Sequence, residues 1–267
     1  MGRVRGTFKV EALQFQSTLV AVSGDTGAAG TLEGYCPFDN QWFDLPALPH
    51  RLTFVAAAAS HAHLYVSGGM DNDRGQCTST VWALDSLDGT WEVSAIMPQA
   101  RYAHASVIHR GHLWIVGGQI ADGDMAIPTG TCVALDLATR AWLPDTADMQ
   151  RKRVWPRLLI CAGSLYAIGG DICDKNCSML PSLQRYNDER RQWEAPLYFP
   201  QQRRVFAVTT VGAKIVVYGG RGESFEELLD WVAFDCAAGV WEEPGGSLPR
   251  ESFVGGTCVT IQCAPCG

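Results

Sequence analysis

Residues 64–69 read LYVSGG, 113–118 LWIVGG, 165–170 LYAIGG and 215–220 IVVYGG. Each is an apolar run closed by a glycine pair: Gly68–Gly69, Gly117–Gly118, Gly169–Gly170 and Gly219–Gly220. Recurrence at about 50 residues marks an architecture of stacked units, each unable to bury its own faces alone. The glycine pair ends a strand where a side chain would obstruct crowded backbone.

The period extends outward from these pairs. Tryptophans follow them at Trp42, Trp91, Trp142, Trp193 and Trp241, spaced by 49, 51, 51 and 48 residues. A β-like run ending in Asp or Asn (Asp85, Asp136, Asn187, Asp235) stands six residues before four of them. Upstream of each glycine pair lies another apolar run, TFVAAAA, HASVI, PRLLICA or VFAVTTV, separated from the next by a short turn such as HRGH or VGAK. Each unit therefore holds four short strands joined by turns, and helical periodicity is weak throughout. EELLDWV (226–232) reads as the approach to a third strand. A degenerate first copy has VAVSGD in place of the glycine pair, then GYCPFDNQW. A recurring four-stranded unit of this size predicts an all-β propeller, with the tryptophans packed between blades.

At this point the chain resembles the kelch-repeat family, from about Leu13 to Cys263, on the glycine pair, the aromatic residue and the spaced Trp together. Five copies are counted, which predicts five four-stranded blades in one domain over 1–267, about 13–46, 51–95, 101–146, 153–197 and 203–245, although kelch rings more often have six. The tail RESFVGGTCVTIQC parallels ARYAHASVIHR, and in kelch propellers such a strand returns to complete the first blade, here over 252–263. Six blades, one of them degenerate or missing, is the alternative.

Composition limits the function. Of 267 residues 47% are hydrophobic and 18% charged, which suits a compact buried fold rather than disorder. The net charge of −7 argues against broad binding to nucleic acid or anionic membrane. No apolar stretch approaches a membrane span, and the first residues lack a signal-peptide core, so a soluble cytoplasmic or nuclear protein with reduced thiols is expected.

Arginines supply the main candidates. Arg101, Arg153 and Arg203 each stand 16 residues before the first glycine of their pair; Arg51 is one residue out of step and Arg250 opens the tail copy. Equivalent positions on a ring face one rim. With Tyr102, Lys152, Trp155 and Arg204 beside them, they form a candidate partner-binding rim for an acidic peptide, because guanidinium pairs carboxylates bidentately. The opposing reading makes each Arg a structural hydrogen-bond donor between blades. The connections after the glycine pairs, MDNDRGQCTST, QIADGDMAIPTGT, DICDKNCSMLPS and RGESFEE, are candidate recognition loops on the same side.

Metal and catalytic chemistry find little support. CDKNC (Cys173, Cys177) and CAPC (Cys263, Cys266) contain four thiols, but the first spacing is off the zinc pattern and free thiols are favoured. His61, His63, His109 and His112 read as turn and surface residues. No nucleophile elbow, zinc-protease or phosphate-loop motif occurs. Iron-dependent kelch specifier proteins use E-x-x-x-D-x-x-x-H; Glu226 and Asp230 match its start, but residue 234 is Phe. No metal, cofactor or catalytic residue is assigned.

The expected function is recognition of a partner protein. The repeats look most like BTB-kelch proteins, whose propeller recruits substrates to a cullin-3 ubiquitin ligase. The BTB and BACK segments that bind cullin in that family have no counterpart in these residues. Actin binding, known among kelch proteins, is the alternative, and a small-molecule kelch enzyme a weaker one.

Overall fold

The computed structural model describes residues 11–15, 18–22, 32–36, 38–122, 125–172, 179–224, 226–242 and 245, with backbone only for 11–22 and at Asp122. Every regular element among them is a strand, and every pairing is antiparallel. Among the described residues five blade sheets follow one another. The first runs Glu11–Phe15, Thr18–Val22, Leu32–Cys36, Gln41–Asp44, and the second Ala56–Ala59, Leu64–Ser67, Thr80–Leu84, Glu92–Ile96. The third has Ala105–His109, His112–Val116 and Cys132–Asp136, with its fourth strand reduced to a bridge between Leu135 and Trp142. The fourth has Arg157–Cys161, Ser164–Ile168, Ser182–Asn187 and Gln192–Trp193, and the fifth Ala207–Val211, Lys214–Tyr218, Trp231–Asp235 and Val240–Trp241.

Turn chemistry explains the local register. Two-residue hairpins join first and second strands at Arg110–Gly111 and Ala162–Gly163, all with positive φ, the backbone that matches strand twist. The Asp or Asn before each Trp closes the next turn. Asp136 Oδ1 accepts from the amides of Ala138 and Thr139, Asp235 Oδ1 from those of Ala237 and Ala238, and Asn187 Oδ1 from that of Arg190. These amide bonds hold the Asp136 and Asp235 carboxyls below their ordinary range.

First strands contact one another in succession, so they form the inner layer around a common axis. Between successive blades lie four apolar cores. Leu32, Leu45, Val66 and Trp82 join blades one and two; Tyr65, Val81, Leu113 and Ile115 join two and three. Trp114, Val116, Leu165 and Tyr186 join three and four; Tyr166, Ile168, Ile215 and Phe234 join four and five.

The repeat tryptophans reach back across these cores. The indole Nε1 of Trp91 donates to Pro46 O (2.8 Å), that of Trp142 to Ile96 O (2.9 Å) and that of Trp193 to Cys132 Sγ (3.3 Å). Trp241 stacks edge-on against Phe199 at 5.0 Å. Trp42 departs from the expected packing: it is 56% exposed and touches Tyr35 of its own blade, because no preceding blade covers it among the described residues. The first blade's sheet already holds four strands drawn from residues 11–44, and the tail segment 252–263 lies outside the described residues.

The glycine pairs are the tightest points. Gly68 and Gly69, Gly117 and Gly118, Gly169 and Gly170, and Gly219 and Gly220 all have positive φ. A Cβ on Gly117 would stand 2.5 Å from Arg153 O, and one on Gly118 2.5 Å from Tyr102 O. The Gly118 amide meanwhile donates to Arg153 O at 2.7 Å, and that of Gly69 to Arg101 O at 2.9 Å. One glycine pair thus carries the backbone of the next blade. Gly118→Ala adds a left-handed strain of about 1–2 kcal/mol to a backbone clash. Urea denaturation is expected to show destabilisation of at least ~2 kcal/mol; a loss below ~0.5 kcal/mol contradicts the assignment.

Candidate functional site

The three in-step arginines are not on a surface. Arg101 is 1% exposed, Arg153 0% and Arg203 1%, which corrects the expectation that they line an open rim. Each guanidinium reaches 16 residues on, to the carbonyl of the first glycine of its own pair: Gly117 (3.1 Å), Gly169 (2.7 Å) and Gly219 (3.1 Å). The remaining donors hold the start of the third strand. Arg101 donates to Thr131 O and Oγ1, Arg153 to Ser182 O, Ser182 Oγ and Gln184 Oε1, and Arg203 to Asp230. Burial pushes the Arg153 pKa down to about 10, still far enough above neutrality to keep the charge. Buried and turned toward acceptors of its own blade, none of the three guanidinium groups is open to a peptide. Here the structural reading of the arginines holds and the partner-binding one does not.

Arg51 shows why register matters. Leu52–Thr53 pairs with Met70–Asp71 as Arg101–Tyr102 pairs with Gln119–Ile120, so Leu52 occupies the buried arginine position of blade two. Arg51 falls one place earlier and is exposed, its guanidinium 3.8 Å from Asp73. Lys152 is exposed. Arg204 is half-buried, its Nε donating to Met179 Sδ at 3.2 Å, with the Asp171 carboxyl close enough to feel its charge. Burial is nevertheless the larger influence on Asp171 and raises its pKa. Arg250 lies outside the described residues, as do Cys173, Cys177, Cys263 and Cys266.

What the rim does present is apolar and strained. The residue two places after each buried arginine position has positive φ: Phe54 (55°), Ala103 (54°), Trp155 (52°) and Val205 (51°). The first three of these positions are stitched together, with Ala103 N donating to Phe54 O at 2.9 Å and Trp155 N to Ala103 O at 2.8 Å. A β-branched or bulky residue in this conformation is a genuine outlier. Yet the Trp155 side chain is 39% exposed and that of Val205 51% exposed, so packing does not compel either. Tyr102 lies half-buried with its ring 6.1 Å from Phe54. The conformation belongs to the repeat, and at Trp155 and Val205 it carries an exposed apolar side chain at the loop end of the scaffold.

The loops frame this centre as short ribbons. Met70–Asp71 pairs with Leu52–Thr53 on one side and with Gln76–Cys77 on the other, and Gln119–Asp122 lies in the same way between Arg101–Tyr102 and Met125–Pro128. Single bridges repeat the arrangement in blades four and five, from Val154 through Asp171 to Met179 and from Arg204 through Arg221 to Glu227. Charge here is mixed: Arg51 and Lys152 share the surface with Asp73, Glu223 and Glu226.

Histidines were read too simply as surface groups. His109 is buried, its Nε2 3.3 Å from Asp188 across the interface of blades three and four. His104 is fully buried with Nε2 2.8 Å from Ser67 Oγ. Both serve blade packing. Among the described residues no group of three or more His, Cys, Asp and Glu side chains is arranged to hold a metal ion.

Comparison with known proteins agrees with the geometry. The description of the Kelch motif matches residues 51–98, the span of the second blade with its entering arginine. The fold is an all-β propeller of kelch type. Kelch-like protein 38 from Rattus norvegicus is 26% identical over 84% of the chain and 46% of its own length. Kelch-like protein 35 from Mus musculus is 27% identical over 91% of the chain and 41% of its own length. Alpha-scruin from Limulus polyphemus is 31% identical over 53% of the chain and 15% of its own length. The chain spans less than half the length of each of these relatives. A kelch propeller of this kind is a protein-interaction domain.

Two substitutions separate strain from scaffold. Val205→Gly is expected to raise stability by ~1 kcal/mol, since glycine accepts positive φ freely and little buried area is lost. Arg153→Ala is expected to lower it by about 3–5 kcal/mol by orphaning buried carbonyls. Urea midpoints measure both; a destabilised Val205→Gly or a neutral Arg153→Ala contradicts this reading.

Proposed function

We propose that the loop end of the propeller recognises a segment of a partner protein, seating an apolar side chain of that segment against Trp155 and Val205. The carrying observation is the pair of exposed apolar side chains held in left-handed backbone at the point where the inner strands converge. Large rigid aromatics at the centre of a concave rim, with charge around them, are the usual anchors of a binding surface. Arg51 and Lys152 at the edge suit acidic residues flanking the apolar one. The buried arginines contribute by fixing the strands from which these side chains project.

The similarity to kelch-like proteins supports a finer reading, in which the bound segment belongs to a substrate of a cullin-3 ubiquitin ligase. The propeller then selects the substrate, and a BTB domain outside these residues meets the cullin. Catalysis has no part in this role.

The test is quantitative affinity purification from cells, comparing wild-type propeller with Trp155→Ala and with Val205→Asp, each first shown folded by circular dichroism. A small partner set is expected to fall at least ~10-fold in both variants, the loss of a central anchor. Unchanged partners overturn the assignment of the site. Wild-type protein that pellets with actin filaments while retaining no ligase substrates moves the function to the cytoskeleton.

A further inference from the structure

Away from the loop end, two thiols meet across a blade interface. Cys161 closes the first strand of blade four, and Cys236 follows the third strand of blade five, whose last residue Asp235 pairs with Lys214. Both therefore lie at the end of the blades opposite the glycine pairs. Their sulfurs are 2.7 Å apart, with the Cys236 thiol donating to Cys161. Cys161 is 2% exposed and belongs to the apolar core between the two blades, whereas Cys236 is half-exposed at its edge. Seventy-five residues separate them in sequence, so chance proximity along the chain does not account for the contact. Beside the pair the Tyr166 side chain hydrogen-bonds Cys236, while the other buried thiol among the described residues, Cys132, accepts the Trp193 indole.

We propose that Cys161 and Cys236 form a reversible disulfide that staples blade four to blade five, with hydrogen peroxide as oxidant. The half-exposed Cys236 sulfur attacks the peroxide oxygen, breaking the O–O bond and leaving a sulfenic acid and one water. The Cys161 sulfur then displaces the sulfenic hydroxyl; the S–S bond forms, and the Cys161 proton leaves with the hydroxyl as a second water. Two thiols are oxidised, one peroxide is reduced, and two waters result. Cys236 is the thiol that solvent reaches, which assigns the first attack to it, and burial raises the pKa of the Cys161 thiol, which makes the closing step slow. A thiol reductant reverses the bond.

The staple acts on the recognition end through the blades themselves. Trp155 enters blade four and Val205 enters blade five, so a covalent link between these blades restrains the two anchor residues relative to each other. The disulfide proposal does not depend on what those residues bind.

The test uses the full chain, reduced, desalted and exposed to hydrogen peroxide. Free thiols are then alkylated and the protein is digested without reduction. Mass spectrometry is expected to find the Cys236 peptide linked to the peptide containing Cys161, with fragmentation placing the link at Cys161 and not at Cys173. Dithiothreitol removes the link. Closing a loop of this length is expected to raise the Tm by roughly 5 °C or more, reversibly. Cys236→Ser abolishes both the link and the shift. The linked-peptide measurement on wild-type protein needs no variant to fold. The proposal is overturned if folded wild-type protein keeps both thiols alkylatable after peroxide, or if Cys236 is carried to sulfinic acid with no link formed.

Discussion

The structure depends on one interaction repeated in blades three, four and five: a buried guanidinium donating to the carbonyl of a glycine pair. Arg101, Arg153 and Arg203 each hold the first glycine and the start of the third strand in their own blade, while the second glycine's amide takes the backbone of the next blade in Gly69 and Gly118. A charged side chain without exposure is costly unless its donors are met. Here carbonyls, hydroxyls and, for Arg203, one carboxylate meet most of them; the Nε of each stays without a partner among the described residues. The arrangement requires glycine, because a Cβ at Gly117 would collide with Arg153 O. Arginine and glycine pair are therefore two halves of one device, and their spacing of 16 residues is the length of strand, turn and strand between them.

That device organises the recognition end without taking part in recognition. The arginine fixes where the inner strand begins, and the residue two places on is in left-handed backbone, as is Phe54 in blade two, where Leu52 replaces the arginine. In blade three this residue is a buried alanine; in blades four and five it is Trp155 and Val205, whose side chains project into solvent. The scaffold is periodic and the projecting side chains are not, which is the division expected of a repeat protein that must keep one fold and choose one partner.

Much of this was legible in the residues. The glycine pairs, the Asp or Asn six residues before the Trp, and the Trp spacing each express a local requirement, namely positive φ, an amide-capping turn and an inter-blade cavity. Local requirements leave local signatures. The alternative reading of the arginines as structural was also available from their strict spacing, since a residue repeated in register serves the repeat. Whether they face solvent was not legible, because burial of a charge depends on acceptors supplied 16 and about 30 residues away. The register of Arg51 was decided by the pairing of Leu52–Thr53 with the following loop, which no composition reveals. Trp155 and Val205 were visible only in part: Trp155 stood out as a non-repeated aromatic, while Val205 carries no signal without its φ. The Cys161–Cys236 contact joins two unremarkable thiols through tertiary packing alone.

The most direct measurement of the central claim is native-state hydrogen exchange at the glycine pairs. The amides of Gly69 and Gly118 sit on loop boundaries by sequence, yet the structure makes them the hydrogen bonds that join blade two to blade three and blade three to blade four. If the arginine–glycine device ties the blades together, both amides exchange only by global unfolding, with protection equal to that of the central strand amides. Exchange at the rate of the neighbouring loop amides would show that the blades open independently at these points, and that the device is not what holds the propeller together.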